Sequence, residues 1–158
     1  MIQASNKYLE TTKKNMKKLS QDFQKIANQQ VKHPAPGFIA SQGRWDGKRY
    51  DKVITFRAVE RNIGNHFDPK TGEFTAPVDG LYKGSLRIKQ AGDRAVQAGV
   101  GHRCGGVVTW LVMVETKAKC FEASTTFEVY MKARDVLFSF TEYDGCECTH
   151  FSCVFHDV

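Results

Sequence analysis

The chain has 158 residues, a formal charge of +6 at pH 7, and a composition that is 41% hydrophobic and 11% aromatic. This composition is too apolar for an intrinsically disordered chain, and no apolar run reaches the roughly 18 residues that a membrane span requires. We therefore expect one globular domain of ordinary size with an appended segment, and no insertion into a membrane.

The N-terminal residues are polar and contain neither the apolar stretch nor the small-residue cleavage site of a secretory signal peptide. Two interpretations follow. Either the protein is intracellular, or a leader was removed before this sequence was written.

Charge divides the chain into two parts. Residues 1–33 carry seven lysines against two acidic residues, whereas the residues from Pro34 onward carry 16 basic and 15 acidic side chains. The boundary coincides with Pro34-Ala35-Pro36-Gly37, because proline cannot continue a helix and glycine permits a turn. The sequence thus predicts a stalk helix at 1–33, a hinge at 34–37 and a globular domain at 38–158.

The stalk has apolar residues with a seven-residue period. They occupy heptad positions a and d, and polar Ser5 and Thr12 fill the two early d positions. The apolar members are Ile2, Leu9, Met16, Leu19, Phe23 and Ile26. This pattern predicts either a coiled coil in which these six residues form the interface, or a single amphipathic helix that lies on its own domain. In the second case the lysines form a solvated face.

After the hinge, the hydrophobic period changes from seven to two. Residues Tyr82–Ile88 and Phe127–Met131 alternate between the two faces in the way that is typical of half-exposed antiparallel strands. Further strand-like runs are Phe38–Ser41, Val53–Val59, Val96–Gly101, Val136–Thr141 and His150–Phe155. Many short strands, with no helix pattern after the hinge, predict an all-β sandwich or jelly roll.

One further run, Val107–Val114, is apolar on both faces. A domain of this size must cover the second face with something, and a partner subunit is the economical candidate. We therefore expect Trp110 and Val112 to contribute to a subunit interface.

The segment between Phe56 and Tyr82 carries a specific spacing of aromatic, asparagine and glycine residues, namely Phe56, Asn62, Phe67, Phe74, Gly80 and Tyr82. This spacing resembles the signature of the globular domain of the C1q family, within the complement C1q and tumour necrosis factor superfamily. The resemblance continues through Ala123-Ser124 and Arg134-Asp135-Val136 to His150-Phe151-Ser152. It covers roughly the whole chain after Gly37.

The resemblance implies a ten-stranded jelly-roll β-sandwich on an N-terminal coiled-coil helix, assembled as a homotrimer. For the stalk it favours a trimeric coiled coil over a lone helix. It also implies a secreted, extracellular protein, with the leader removed from this sequence and Met1 an expression start. Calcium stays undecided, because some family members bind it and this chain has no diagnostic acidic cluster. No other cofactor is expected.

The signature has a structural explanation of its own. Residues Asp68 to Gly72 can form a tight turn, with Phe67 and Phe74 turned inward on either side. We therefore expect the signature residues to build the core and not a ligand site. Two departures, Gly84 and Leu86, stand where the family usually has aromatic residues, so the missing ring volume must be filled by neighbours or left as a cavity.

The sequence contains no catalytic constellation, and we expect a protein that is not an enzyme. Gly99 to Gly105 is like a phosphate-binding loop only superficially, since no helix follows it, and we interpret it as a strand connection. The five histidines lack metal-ligand spacing, and no serine has the context of a nucleophile elbow. Nucleic-acid binding is not expected either, because the domain itself is almost neutral.

The cysteines are Cys104, Cys120, Cys146, Cys148 and Cys153. Because their number is odd, at least one is unpaired or pairs between chains if the others form disulfides. A metal site at Cys146 and Cys148 is not favoured, since no second ligand pair accompanies them. The segments before Phe127 and before His150 are expected at the same end of the domain, so we hypothesise a disulfide between Cys120 and either Cys146 or Cys148.

The leading functional hypothesis is a secreted C1q-domain lectin of innate immunity, a pattern-recognition protein that binds microbial or acidic polysaccharides and glycoconjugates. The alternative belongs to another class. It is a secreted trimeric ligand of a cell-surface receptor, either cytokine-like or like a synaptic organiser.

The predicted carbohydrate site combines residues that follow the first strand with residues that precede or begin the last. They are Arg44, Trp45, Lys48, Arg49, Tyr50, Tyr143 and His150. In the family fold these segments meet at the end of the domain away from the stalk, where aromatic rings can stack on sugars and cations can pair with carboxylates or sulfates. The competing interpretation is that Trp45 and Tyr50 pack on the strand edge and the charges are solvated.

Overall fold

A computed structural model describes residues 2–32, 35–45, 52–117, 121–142 and 145–156, with helix side chains described at 6–24. The chain divides into two compact units, Met1–Pro34 and Ala35–Val158. We refer to the first as the stalk and to the second as the β domain.

The stalk is one α-helix, α1, from Ile2 to Lys32. The segment contains no glycine or proline, and most of its residues are good helix formers. Its apolar seam positions Leu9, Met16, Leu19 and Phe23 are all exposed. Within the part of the chain that the structure describes, no helix combines the length and apolarity needed to cross a membrane.

The described part of the β domain contains ten strands in two five-stranded antiparallel sheets, as the jelly-roll prediction requires. The strands are β1 Gly37–Arg44, β2 Thr55–Ile63, β3 Phe67–Asp68, β4 Glu73–Thr75, β5 Gly80–Gln90, β6 Gln97–Cys104, β7 Val107–Glu115, β8 Glu122–Met131, β9 Val136–Thr141 and β10 Cys146–His156. Sheet 1 has the order β2-β1-β10-β5-β8, and sheet 2 has the order β3-β4-β9-β6-β7.

The strand predictions differ from the structure mainly at their ends. Gly99 to Cys104 lies within strand β6, so the connection to β7 is only Gly105 and Gly106. Both glycines have positive φ, of 55° and 86°, which a two-residue hairpin turn of this kind favours. Val53 forms an isolated bridge to Phe140 ahead of β2.

The signature segment folds as its residue types suggest. Gly72 adopts a φ of +73°, and its amide donates to the Asp68 carbonyl at 2.8 Å, which closes the turn between β3 and β4. Asn62 holds the approach to this turn, because its side-chain amide donates to the Phe67 carbonyl at 2.8 Å and accepts from the Phe67 amide at 3.2 Å. The aromatic rings of Phe67 and Phe74 are buried on either side of the turn.

A cluster of aromatic rings fills the space between the sheets. Phe38 stacks on Phe67 with centroids 4.0 Å apart and almost parallel planes, while Phe151 and Phe74 meet it at 5.0 and 5.2 Å. These four rings come from β1 and β10 of sheet 1 and from β3 and β4 of sheet 2. The cluster therefore fastens the two sheets to each other.

The position of Gly84 shows how the missing ring volume is replaced. A Cβ atom added to Gly84 would collide with the ring of Phe127 and with the backbone of Ser152. The ring of Phe127, opposite Gly84 on strand β8, thus occupies the space in question. Leu86 is completely buried in the same core, so neither departure from the family pattern disrupts the strand.

We predict that Phe38→Ala lowers the free energy of unfolding by about 3–5 kcal/mol, because it removes a buried ring from the centre of the aromatic cluster. Phe121→Ala makes the same chemical change at an exposed position and should change stability by no more than about 0.5 kcal/mol. Urea unfolding followed by intrinsic fluorescence measures both. Equal losses in the two variants would contradict this account of the core.

Candidate carbohydrate-binding site

The predicted site lies at one end of the β domain, which we call the distal end. Strands β1 and β10 pair antiparallel, with Gly37 opposite Val154 and Arg44 opposite Glu147. Arg44, at the end of β1, therefore lies beside Glu147, at the start of β10, far from Gly37.

Arg44 and Trp45 are the predicted residues that the structure describes at this end. The Arg44 guanidinium is 3.7 Å from the Glu147 carboxylate, and 63% of the Arg44 side chain is exposed, against 25% for Glu147. An exposed pair at this distance contributes little to stability, so the guanidinium can exchange its partner for a ligand. Trp45 is half-buried. Lys48, Arg49, Tyr50 and Tyr143 lie outside the described residues.

His150 is not at the distal end. A register shift between Cys148 and His150 turns the strand, and His150 lies about 10 Å beyond Glu147 along β10. There it lines a separate groove of about 470 Å³ on the outer face of sheet 1, together with Ser85, Leu86, Arg87, Ser124, Thr125 and Thr126. The prediction that His150 belongs with Arg44 and Trp45 is therefore corrected.

A chain of hydrogen bonds holds the His150 ring in this groove. Its Nε2 atom is 3.0 Å from the Ser152 hydroxyl, which in turn is 3.0 Å from the Ser85 hydroxyl. Burial and the nearby Arg87 lower the pKa of His150. The ring is accordingly uncharged at neutral pH and offers no positive charge to an acidic sugar. In the sequence, the alternating polar residues of β5 indicate the outer face on which this groove lies.

A second polar cluster joins the end of β6 to the turn between β8 and β9. The Asp135 carboxylate lies 2.8 Å from His102 Nε2 and accepts from the Lys132 amide at 3.0 Å. Burial alone would raise the pKa of Asp135, but the hydrogen bonds from His102, the Lys132 amide and the Cys104 thiol outweigh it and lower that pKa. Sequence reasoning missed this pair, because its two members are 33 residues apart.

No three His, Cys, Asp or Glu side chains among the described residues are placed to hold a metal ion. The Cys104 thiol donates to Asp135, and this hydrogen bond raises the pKa of Cys104. The cluster around Asp135 therefore keeps the thiol protonated, which opposes its use as a nucleophile or metal ligand.

The two predicted interface residues of β7 lie on different faces of the strand. Val112 packs, with Leu111 and Val114, against the core of its own domain. Trp110 lies on the outer face of sheet 2, 4.5 Å from the Phe140 ring and 6.3 Å from the Phe138 ring, yet 59% of it remains exposed. Trp110 is thus available to a partner, whereas Val112 is already partly covered by its own chain.

Three of the cysteines face the core from β10. Cys146, Cys148 and Cys153 are buried and carry free thiols. Cys120 lies outside the described residues, and both partners predicted for it, Cys146 and Cys148, carry free thiols, so the structure does not contain the predicted disulfide. Its neighbour Phe121 accepts a hydrogen bond from the amide of Gln90, which pairs with Cys146. The chain before β8 therefore runs close to Cys146, on the side of the domain where the disulfide was expected.

We predict that alkylation of the native protein in mildly alkaline buffer modifies Cys104 faster than the three cysteines of β10, because Cys104 is exposed and the other three are buried. Burial raises the pKa of Cys146 to about 11 and that of Cys153 to about 12, and it also raises the pKa of Cys148. Peptide mapping by mass spectrometry, with a urea-unfolded sample as control, distinguishes the sites. Rapid native labelling of Cys148 or Cys153 would contradict the burial of these thiols.

Comparison with known proteins agrees with this architecture. The family model for the C1q domain matches residues 38–141, and the chain therefore belongs to the C1q-domain family. The comparison with curated proteins yields no match.

Solved structures of the same superfamily share the fold at low sequence identity. The globular domain of zebrafish complement 1qA protein superimposes with a TM-score of 0.60 and 14% identity, over 78% of this chain and 97% of that one. Murine APRIL at pH 8.0 gives 0.63 and 9%, over 77% and 99%. Eiger TNF from S. frugiperda gives 0.57 and 10%, over 78% and 94%.

The family assignment carries general properties. Domains of the C1q and TNF type are typically extracellular and non-enzymatic, and their homologues form trimers. The fold alone does not separate a carbohydrate-binding protein from a receptor ligand, since both kinds of protein use it.

Proposed function

We propose that this protein is a secreted, homotrimeric C1q-domain lectin that recognises microbial or acidic polysaccharides in innate immunity. The observation that supports it most is the position of Arg44 at the distal end, beside Glu147 at the start of β10. The chain continues from Arg44 into Trp45, Lys48, Arg49 and Tyr50, which supply the aromatic and cationic groups of a site for acidic sugars.

The chemistry of these side chains suits an acidic polysaccharide. Tryptophan and tyrosine rings present flat apolar faces to the C–H groups of a sugar, and arginine can bind a carboxylate or sulfate through two parallel hydrogen bonds. We expect each single site to bind with modest affinity. A trimer repeats it three times, and a polymer with repeated sugars converts weak contacts into useful avidity.

The proposed activity is binding without catalysis. The described residues contain one histidine–carboxylate pair, His102 and Asp135, and its nearest candidate nucleophile is Cys104. That thiol is held in its protonated form by Asp135, so the cluster ties a turn to a strand and does not generate a thiolate.

A second candidate function is that of a secreted trimeric ligand for a cell-surface receptor. The exposed Trp110, which rests on Phe138 and Phe140, favours it, because rigid aromatic residues commonly anchor protein interfaces. A glycan-binding screen compared with a screen on receptor-displaying cells separates the two functions. Trp110→Ala should weaken binding to receptor-displaying cells, with sedimentation as the control for the trimer, because Trp110 is also a predicted subunit-interface residue.

We predict that the intact chain sediments as a trimer of 17.8 kDa subunits and that Leu19→Glu weakens this assembly. The substitution places a carboxylate in the apolar seam of the stalk, where its desolvation costs several kcal/mol by general expectation. Gln21→Glu adds the same charge outside the seam and should leave the trimer intact. A monomeric wild-type chain at micromolar concentration in sedimentation equilibrium would contradict the proposed assembly.

We predict that Trp45→Ala and Arg49→Ala each weaken binding to an unsulfated uronic-acid polysaccharide, such as polygalacturonate, by about two- to tenfold per site, with the trimer preserved. His150→Ala should bind like the wild type, because its groove is separate from the distal end. Binding should also weaken as salt rises, since exposed charges are screened.

Biolayer interferometry on immobilised polysaccharide, with sedimentation as the control for assembly, measures these effects. If both variants bind like the wild type and only substitutions of stalk lysines reduce binding, the distal site is wrong.

A further inference from the structure

Five of the seven lysines of the stalk form a single stripe along α1, and Lys13 and Lys17 lie outside it. Lys7, Lys14 and Lys18 are exposed, and their spacing of seven and four residues continues in the sequence to Lys25 and Lys32. At 3.6 residues per turn, all five positions fall within about 40° of one another around the helix axis. Between Lys7 and Lys32 the helix rises by about 38 Å. We call these five residues the lysine stripe.

The stripe lies on the side of α1 opposite the apolar seam. The mean direction of the seam positions, which include Leu9, Met16 and Phe23, is about 180° from that of the stripe by the same helical geometry. Any assembly that buries the seam therefore leaves the stripe on its outer surface. In a trimeric coiled coil, three such stripes would run along the stalk.

The stripe keeps an excess of positive charge, although Glu10 and Asp22 stand three or four residues from its lysines. Among the side chains described at 6–24, the acidic residues are Glu10 and Asp22, and none of the lysines there forms an ion pair with a described residue. Lys14 and Lys18 are also four residues apart, a spacing at which like charges destabilise a helix.

We propose that the lysine stripe binds a linear sulfated polysaccharide. A narrow row of cations complements a flexible chain of sulfate groups. The positions beside the stripe are polar, with Thr11 and Gln21, so they offer no ring on which nucleic-acid bases could stack. A helix that lies on a membrane buries its apolar face in lipid, whereas here the coiled coil would occupy that face.

This inference deepens the proposed function and rests on it for the class of partner, an acidic polysaccharide. It adds a contact that is independent of the distal end of the β domain. The distal site would select particular sugars, and the stripe would hold the assembly on any highly sulfated chain. Both contacts on one trimer would act together through avidity.

The test compares two triple variants of the intact chain with equal net charge. The stripe variant is Lys7→Gln with Lys14→Gln and Lys18→Gln, and the control is Lys89→Gln with Lys117→Gln and Lys132→Gln, which are exposed lysines of the β domain. Heparin is the sulfated probe. We expect the stripe variant to lose about tenfold or more in affinity and to show a shallower dependence of log affinity on log salt. The control should bind like the wild type.

Further controls separate charge from folding. The triple Lys→Arg variant of the stripe keeps the charge and should restore heparin binding, and circular dichroism should show an equal helix content in all variants. Equal losses in the stripe and control variants would overturn the proposal, because net charge alone would then explain binding. A stronger dependence on the stripe for single-stranded DNA or for phosphatidylserine vesicles than for heparin would overturn the class of partner.

The two proposals fail in distinguishable ways. If the wild type binds no unsulfated uronic-acid polysaccharide, such as polygalacturonate, but binds heparin through the stripe, the lectin function of the distal end is wrong and the stripe stands. If Trp45→Ala abolishes polysaccharide binding while the stripe variant keeps full heparin affinity, the stripe is wrong and the distal site stands.

Discussion

The architecture of the β domain depends on the stacking of Phe38 on Phe67. This contact joins the first strand of sheet 1 to the short strand β3 of sheet 2, with centroids only 4.0 Å apart. The Phe151 ring of β10 also contacts Phe38 and Phe67, so the same cluster positions β10 beside β1. The pairing of these two strands then determines which loops meet at the distal end. A change in the core would consequently move the surface on which the proposed site is built.

The outer faces of the two sheets carry different kinds of side chain. The outer face of sheet 1 carries hydroxyl groups and Arg87, whereas sheet 2 carries an aromatic group in which Trp110 covers Phe138 and Phe140. Gly101 makes the second arrangement possible, since a Cβ atom there would meet both Phe138 and Trp110 closely. Positive charge is concentrated on the stalk. Hydroxyl groups, exposed aromatic rings and cationic side chains are therefore found in different parts of the chain.

Much of the fold could be predicted from the sequence, because periodicity and turn chemistry are local properties. The alternation in β5, the turn from Asp68 to Gly72 and the signature spacing all report on neighbouring residues, and the family model confirms their interpretation. The site was harder to predict. The register shift after Cys148, which moves His150 into another groove, depends on the pairing of β10 with β5, and a single sequence does not show that pairing.

The dependence on strand pairing also explains the other differences between the predictions and the structure. Val112 and Trp110 were grouped because both are apolar, but a bulge opposite Val100 and Gly101 directs one to the core and the other to solvent. The link between His102 and Asp135 joins distant parts of the chain and leaves no periodic trace. Residue type and local spacing thus identified the strands. Which side chains face solvent, and which of them meet, depends on the pairing of strands that are distant in the sequence.

The central place of β10 in sheet 1 has a consequence for biosynthesis. Gly37 pairs with Val154, and β10 also separates β1 from β5, so sheet 1 remains in two pieces until the last strand has left the ribosome. The stalk helix, by contrast, is local and emerges first. Nascent chains on one messenger could therefore align their helices while their β domains are still open. Under that order of events, the partners in an assembly would be selected before any ligand-binding surface exists.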